Sequence, residues 1–456
     1  MTWRGDRRAR RRRETPIAGA GGVRGQTART RPQARDSVRP NRSHAARVLR
    51  RLAVFLAVAA AGCTTVLTRS PAPAESIDVA KPFGMDATLI RAWGDEFGAE
   101  RADEIIDWRV ASLRRVHAAD IARGRPLESD MLALSGGGAD GAFGAGLLAG
   151  WTARGDRPDF QIVTGVSTGA IIAVFAYLGP EYDDTLRDIY TNYATRDLLT
   201  PAFFTGLLRG TAVTDTSGFR RLIAQHIDDE AVGRLAQAHR DGRLLLIGTT
   251  NLDAARPVIW NVGEIAASGH PRAKTLIRRV IEASTAIPGA FEPVLIPVEI
   301  DGRSFDEMHV DGGATRQVLL YSPHLNPRRV DDTLGVGIDR RLYVIMNNRL
   351  RRPHQPVTPR LGPITFAAIS SLIASAGIGD VVQLYAMVES ERVPINIVSI
   401  PPAFDRTPDE PFDRVYMRAL YDFGFAMGRD GVPWRQRPPG FPEAPATRAP
   451  RAMASR

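Results

Sequence analysis

The sequence predicts an α/β fold: a mainly parallel central sheet whose faces are covered by helices. Three observations carry this. Leu132–Trp151 (LALSGGGADGAFGAGLLAGW) passes from an apolar run through a glycine-rich turn into a stretch of small and apolar residues. Phe160–Leu178 repeats the pattern, with a second apolar run, the serine-centred turn Gly165–Gly169 (GVSTG) and AIIAVFAYL, which is apolar all round. Strand, loop, helix, strand, turn, helix is a βαβα unit, which buries both faces of its strands. At 456 residues, the chain is also long enough to bury a large core.

Taken in order, the first tenth is set apart by charge. Residues 1–51 hold 16 arginines against three acids, a net of +13, which leaves −3 for the remainder of a chain whose total is +10. The basic character is thus confined to an Arg-rich leader, and the rest offers no electrostatic case for nucleic acid. Arg47, Arg50 and Arg51 precede an uncharged run of 11 residues, Leu52–Gly62, that stops at Cys63. A positive segment, a short apolar segment and small residues before a break mark a secretory signal. Eleven residues are too few to span a bilayer as a helix. Cys63 is the single cysteine, so it forms no internal disulfide.

Ala60-Ala61-Gly62-Cys63 resembles the lipobox of bacterial lipoproteins, with Ala60 where leucine is usual. The resemblance implies a lipid on Cys63 and a membrane anchor through it. Thr64, where an inner-membrane retention signal would carry Asp, favours an outer-membrane lipoprotein of the bacterial cell envelope, facing the periplasm or the surface. An ordinary cleaved signal is the competing reading. Residues 1–46 are long for such a leader, and a translation start near Val48 would explain them.

Residues 63–85, rich in Pro, Ser and Thr at their start, read as a tether. Residues 86–130 form a flank with apolar positions at helical spacing (Ile105, Trp108, Leu113, Val116), one or two amphipathic helices outside the sheet. Strands are expected at Met131–Ser135, Phe160–Val166, Leu244–Thr249, Val258–Val262, Val294–Ile300, Ser304–Val310, Leu342–Asn347 and Ile395–Ile400. Helices are expected at Ala142–Thr152, Ala170–Leu178, Tyr182–Tyr193, Ser217–His226, Ala273–Ala286 and Phe412–Met427, with one or two more over 362–388. Asp301-Gly302 reads as a hairpin turn that delivers the chain to Asp311. Asp306 and Glu307 read as solvated turn residues, Trp260 and Phe291 as core, and Leu350-Arg351-Arg352 as a solvated loop. Residues 325–428 read as a C-terminal α/β extension packing on the domain, and 429–456, rich in Pro and Arg, as a disordered tail.

The chemistry centres on two turns. Gly165-Val166-Ser167-Thr168-Gly169 fits the nucleophile elbow, Gly-x-Ser-x-Gly, which needs a serine on a sharp strand-to-helix turn and glycines where side chains would collide with backbone. The helix after the serine adds partial positive charge that favours a developing anion. Gly136-Gly137-Gly138-Ala139-Asp140-Gly141 lets backbone N–H groups converge on a phosphate or an oxyanion. A nucleotide reading lacks Gly-Lys-Ser/Thr, and it would want an acid where the chain has Ser167. Two such turns at adjacent strand ends suit one acyl-transfer site. A nucleophilic serine needs a base. None of the eight histidines has a distinguishing pattern, whereas Asp311, followed by Gly312 and Gly313, stands at a strand end.

Ser135–Gly141, Gly165–Gly169, Ala283–Pro293 (ASTAIPGAFEP) and Asp311-Gly312-Gly313, in this order, resemble the patatin-like phospholipase family over about residues 131–324. The resemblance implies a three-layer α/β/α sandwich and a lipid acyl hydrolase of phospholipase A or lysophospholipase type. Ser167 would be the nucleophile and Asp311 its base, with no catalytic histidine. Gly136, Gly137, Gly138 and Gly141 would form the oxyanion hole. The family's architecture would also set the apolar 362–388 helices beside the sheet, lining an acyl pocket. Two residues depart from the pattern. Asp140 stands where members often carry Arg or Lys, and Ser135 where many carry Asp.

The expected substrate and partner is therefore phospholipid or lysophospholipid, with no cofactor and no metal. Three other readings stay open. One is a general carboxylesterase or thioesterase on the same residues. Another is a histidine-dependent serine hydrolase using His309, His324 or His354. The third is a non-catalytic envelope scaffold.

Overall fold

The computed structural model describes residues 69–441 apart from 96–98, 202–213, 321–325, 351–353 and 355. The leader, Cys63, His324 and the last fifteen positions lie outside the described residues.

Ten strands form one sheet: β1 (Lys81–Pro82), β2 (Arg91–Trp93), β3 (Leu127–Leu134), β4 (Phe160–Val166), β5 (Leu244–Asn251), β6 (Arg256–Asn261), β7 (Val294–Ile300), β8 (Arg303–Asp311), β9 (Ile338–Met346) and β10 (Ile395–Ser399). Their order is β1-β7-β8-β5-β4-β3-β9-β10, with β6 pairing β5, and β2 pairing β6. The run β5-β4-β3-β9-β10 is parallel throughout. The main helices are α1 (Ala99–Val116), α2 (Gly141–Arg154), α3 (Thr168–Leu178), α4 (Asp183–Asn192), α5 (Ser217–His226), α6 (Asp229–Arg240), α7 (Ala273–Ser284), α8 (Leu361–Glu391) and α9 (Arg414–Asp430).

Period-two geometry shows why the strands read as continuous apolar runs. Along β3, Leu132 and Leu134 join a core shared with α2, α3 and α7, whereas Met131 and Ala133 join a second core with Val381, Leu384 and Val388 of α8. Both faces are buried, so both parities must be apolar. Helices α2 and α9 meet at backbone distance. A Cβ at Gly146 would collide with the Tyr421 carbonyl oxygen, and one at Gly424 with that of Phe143.

Several expectations change. Strands β9 and β10 are not an extension packed on a finished domain. Strand β9 pairs with β3 from Ile338↔Leu127 to Ile345↔Leu134, so these strands complete the sheet. The tether reading fails over 69–85. Lys81 and Pro82 pair with β7 and form the edge of the sheet, Ala80 is buried with Val298 and Ile300, and Arg69 bonds Asp253. Part of the expected helical flank is instead strand β2, antiparallel to β6. The expected tail starts late: α9 runs on to Asp430, Arg435 exchanges backbone hydrogen bonds with Ile397, and Trp434 packs on Trp151 and Tyr343. Pro/Arg-rich composition hid these because backbone pairing is blind to composition. The 362–388 segment is one helix of 31 residues, and only its second half lies beside the sheet.

Candidate active site

Strand β4 ends at Val166, and the chain turns into α3 through Ser167, which sits at φ 56°, ψ −129°. A non-glycine residue with positive φ costs on the order of 1–3 kcal/mol and persists only where surrounding packing enforces it. The enforcement is visible. A Cβ at Gly169 would lie 2.5 Å from the Leu134 carbonyl oxygen, and one at Gly165 2.3 Å from that of Gly169. The Ser167 N–H donates to Ser284 Oγ (2.9 Å), whose own hydroxyl donates to the Gly248 carbonyl (2.7 Å). The end of α7 thus holds the turn from below.

Register brings the acid to the serine. Strand β4 runs parallel to β5 and last pairs at Val166↔Gly248. Strand β8 runs antiparallel to β5 and last pairs at Asp311↔Thr249. The other edge of β5 is occupied by β6 from Leu246 to Asn251. So β4 and β8 approach head to head along one edge of β5, and their ends meet. Ser167 Oγ donates to Asp311 Oδ2 at 2.6 Å, and the Gly313 N–H donates to Oδ1 at 2.7 Å. The two side-chain residues are 5% and 3% exposed. Burial pushes the Asp311 carboxyl up to about 7, against the downward pull of the hydrogen bonds from Ser167 and Gly313.

The glycine loop divides into different roles. The Gly136 N–H is spent on the Gln317 carbonyl (3.3 Å), and the Gly141 N–H on the carbonyls of Ala139 and Gly138. Sequence reasoning had made both donors of the oxyanion hole; helix and loop closure claim them first. Gly137 and Gly138 have no such acceptor among the described backbone bonds, and Gly136 lies against Ser167 so closely that a Cβ would be 3.0 Å from the Ser167 Cβ. The loop is laced to β9 by Asn347. Its N–H donates to Ser135 Oγ (2.7 Å), its Nδ2 to the Ser135 carbonyl (2.8 Å), and its Oδ1 accepts from the Gly144 N–H (3.1 Å). Ser135 therefore serves as a tie-point, and Asp140 accepts a 2.5 Å hydrogen bond from Tyr416 of α9.

Residues 132–322 match the family of patatin-like phospholipases. This segment is a patatin-like phospholipase domain. Its class is that of lipid ester hydrolases. No curated protein matches the chain. Among solved structures, the chain is similar to VipD from Legionella pneumophila, with 12% identity, a TM-score of 0.29 and 67% of each chain covered. It is also similar to human GIVD cytosolic phospholipase A2, with 12% identity, a TM-score of 0.29, and 71% of this chain and 55% of that chain covered.

The patatin-like domain also holds a polar cluster that sequence reasoning missed. Glu307, taken as a solvated turn residue, is fully buried on β8. It accepts from Arg91 Nη1 (2.5 Å) and lies 3.1 Å from His309 Nε2. His309 Nδ1 contacts Thr249 Oγ1 (3.0 Å), which accepts from Trp260 Nε1 (2.8 Å). Burial alone would raise the Glu307 carboxyl, but the charge of Arg91 and the hydrogen bonds from His309 and Arg91 outweigh it and hold the group at about 2. Both ring nitrogens of His309 are thus engaged away from Ser167. Among the described residues, no histidine bonds Ser167, and no cluster of three His, Cys, Asp or Glu side chains is arranged to hold a metal. Asn347 has one sequence signal, an amide closing an apolar strand (LYVIMN), and Ser284 another, its place in the ASTAIPGAFEP block; Arg91 has none.

Proposed function

We propose that the patatin-like domain cleaves carboxylic esters of phospholipid or lysophospholipid through a Ser167–Asp311 dyad. The observation that carries this is the 2.6 Å bond between Ser167 Oγ and Asp311 Oδ2, made directly and in a buried setting. An ordinary aspartate, with a pKa near 3.9, is a poor base at neutral pH; one raised to about 7 is matched to the task. Asp311 takes the Ser167 proton as Oγ attacks the ester carbonyl. The carbonyl oxygen becomes an oxyanion facing the N–H groups of Gly137 and Gly138, each such donor being worth roughly 3 kcal/mol. Asp311 then gives the proton to the leaving alcohol. Water, deprotonated by the same carboxylate, then attacks the acyl carbonyl, and Asp311 returns the proton to Ser167 Oγ as the acyl–Oγ bond breaks and the fatty acid leaves.

The deciding assay incubates purified protein with phospholipid, lysophospholipid, a soluble carboxylester and a thioester. Fatty acid released fastest from the lipids, and none from Ser167→Ala, supports the reading. A preference for the soluble ester or thioester favours the general esterase on the same residues, and no turnover of any favours a scaffold. An outer-membrane anchor through Cys63 is a further part of this proposal, and it rests on the lipobox-like sequence. Replacing Cys63 with Ser should move the protein out of salt-washed membranes into the soluble fraction.

A further inference from the structure

Helix α8 belongs to the interior only by its second half. The nineteen residues Leu361–Gly379 carry no charge, and Pro363–Glu391 is long and apolar enough to cross a membrane by length and composition, yet only 18% of its most apolar window is buried. Val381, Leu384 and Val388 pack on β9 and β10, whereas Leu361 is 83% exposed, Leu372 71% and Ile364 50%. A run of apolar side chains left in water marks an interaction surface.

The root of this arm is fixed beside the site. Asp380 Oδ2 accepts from the N–H groups of Gln317 (2.6 Å) and Val318 (3.3 Å), and Gly377 packs on Gln317. The Gln317 amide in turn fills the space where Gly136 and Gly313 would carry side chains. At the free end the sequence 350–360 (LRRPHQPVTPR) holds Arg351, Arg352 and Arg360 and no acid, whereas Arg349 before it donates to the carbonyls of Phe404 and Arg406. An apolar helix preceded by an arginine cluster complements anionic headgroups over hydrocarbon. Full crossing is disfavoured, because those arginines would have to traverse the bilayer.

We propose that the free half of α8 is an interfacial docking arm. It enters one leaflet of an anionic phospholipid bilayer and holds the Ser167 site at the lipid surface. The placement rests on the lipid-hydrolase reading above, but the binding does not. Full-length protein carrying Cys63→Ser and Ser167→Ala, unanchored and inactive, is floated with vesicles of phosphatidylcholine with or without phosphatidylglycerol. The expected result is flotation with the anionic vesicles that weakens with salt, and that falls about tenfold or more in Ile364→Glu/Leu372→Glu. On the Ser167-containing background that pair leaves hydrolysis of a soluble short-chain ester unchanged. In a separate variant, the fluorescence of Leu372→Trp is quenched by brominated lipid in anionic vesicles. Absence of vesicle binding, flotation unaffected by the double substitution, or an unquenched Leu372→Trp overturns the proposal. So does a parent dimer that the double substitution converts to monomer, since a second copy would then cover the arm.

Discussion

At Asp311 two effects oppose each other, and burial wins: desolvation lifts the carboxyl to about 7 although Ser167 and Gly313 both donate to it. Catalysis needs the ionised form, so kcat/KM should fall about one decade per pH unit below about pH 7. A pH–rate profile flat down to pH 5 would remove Asp311 as the base. Stability runs the other way. A folded pKa above the unfolded value near 3.8 gives stability that is complete below that value and is lost as pH rises through about 7. Asp311→Asn should therefore cost about a thousandfold or more in activity, yet unfold at higher temperature than the parent at pH 8, with the gain vanishing toward pH 4. Ser167 carries strain of a different kind. Ser167→Gly should abolish turnover and stabilise the fold by about 1 kcal/mol, because φ 56° is free for glycine. Both residues were legible in the sequence, since a serine between glycines and an aspartate before two glycines announce tight turns. The donors of the glycine loop were less so. Gly136 and Gly141 look like Gly137 and Gly138 in a list, and only folding shows that their N–H groups are already taken.

Elements placed this site more than side-chain chemistry did. The meeting of β4 and β8 along one edge of β5 depends on register, and register cannot be read from a single strand. The hairpin into Asp311 was visible from Asp301-Gly302; that Glu307 inside it is buried was not, because its partner Arg91 is 216 positions away. Breaking this pair leaves a buried charge, so Glu307→Ala should cost about 3–5 kcal/mol by chemical denaturation. The sign with pH follows from a folded pKa of about 2 against 4.5. The parent keeps this contribution above pH 4.5 and loses it as pH falls toward 2, so the gap between parent and variant should close in acid. A gap independent of pH would mean that the ion pair contributes nothing. Gly169→Ala, whose methyl group meets two carbonyl oxygens of the β3 end, should cost about 2 kcal/mol or more and displace the serine.

For the molecule as a whole, the sheet closes only with segments far from the motifs. Helix α9 lies on α2 through glycine contacts, and β9 covers the edge of β3 that would otherwise stay unpaired. A chain cut after residue 324 should then be insoluble or lack cooperative unfolding; a soluble, cooperatively folding truncation would show that the extension is dispensable. Hydrophobic pattern made the βαβα unit and most strands readable, since two buried faces leave continuous apolar runs. It could not show that residues 69–85 and 431–435 join the fold by backbone pairing, nor that α8 leaves it. Everything turns on Ser167 being activated by Asp311. Its most direct test is a fluorophosphonate probe followed by mass spectrometry of the labelled peptides across a pH series. Labelling is expected at Ser167 alone, with a rate that rises through about pH 7 and is lost in Asp311→Asn. Labelling at another serine, or an undiminished rate in Asp311→Asn, would contradict it.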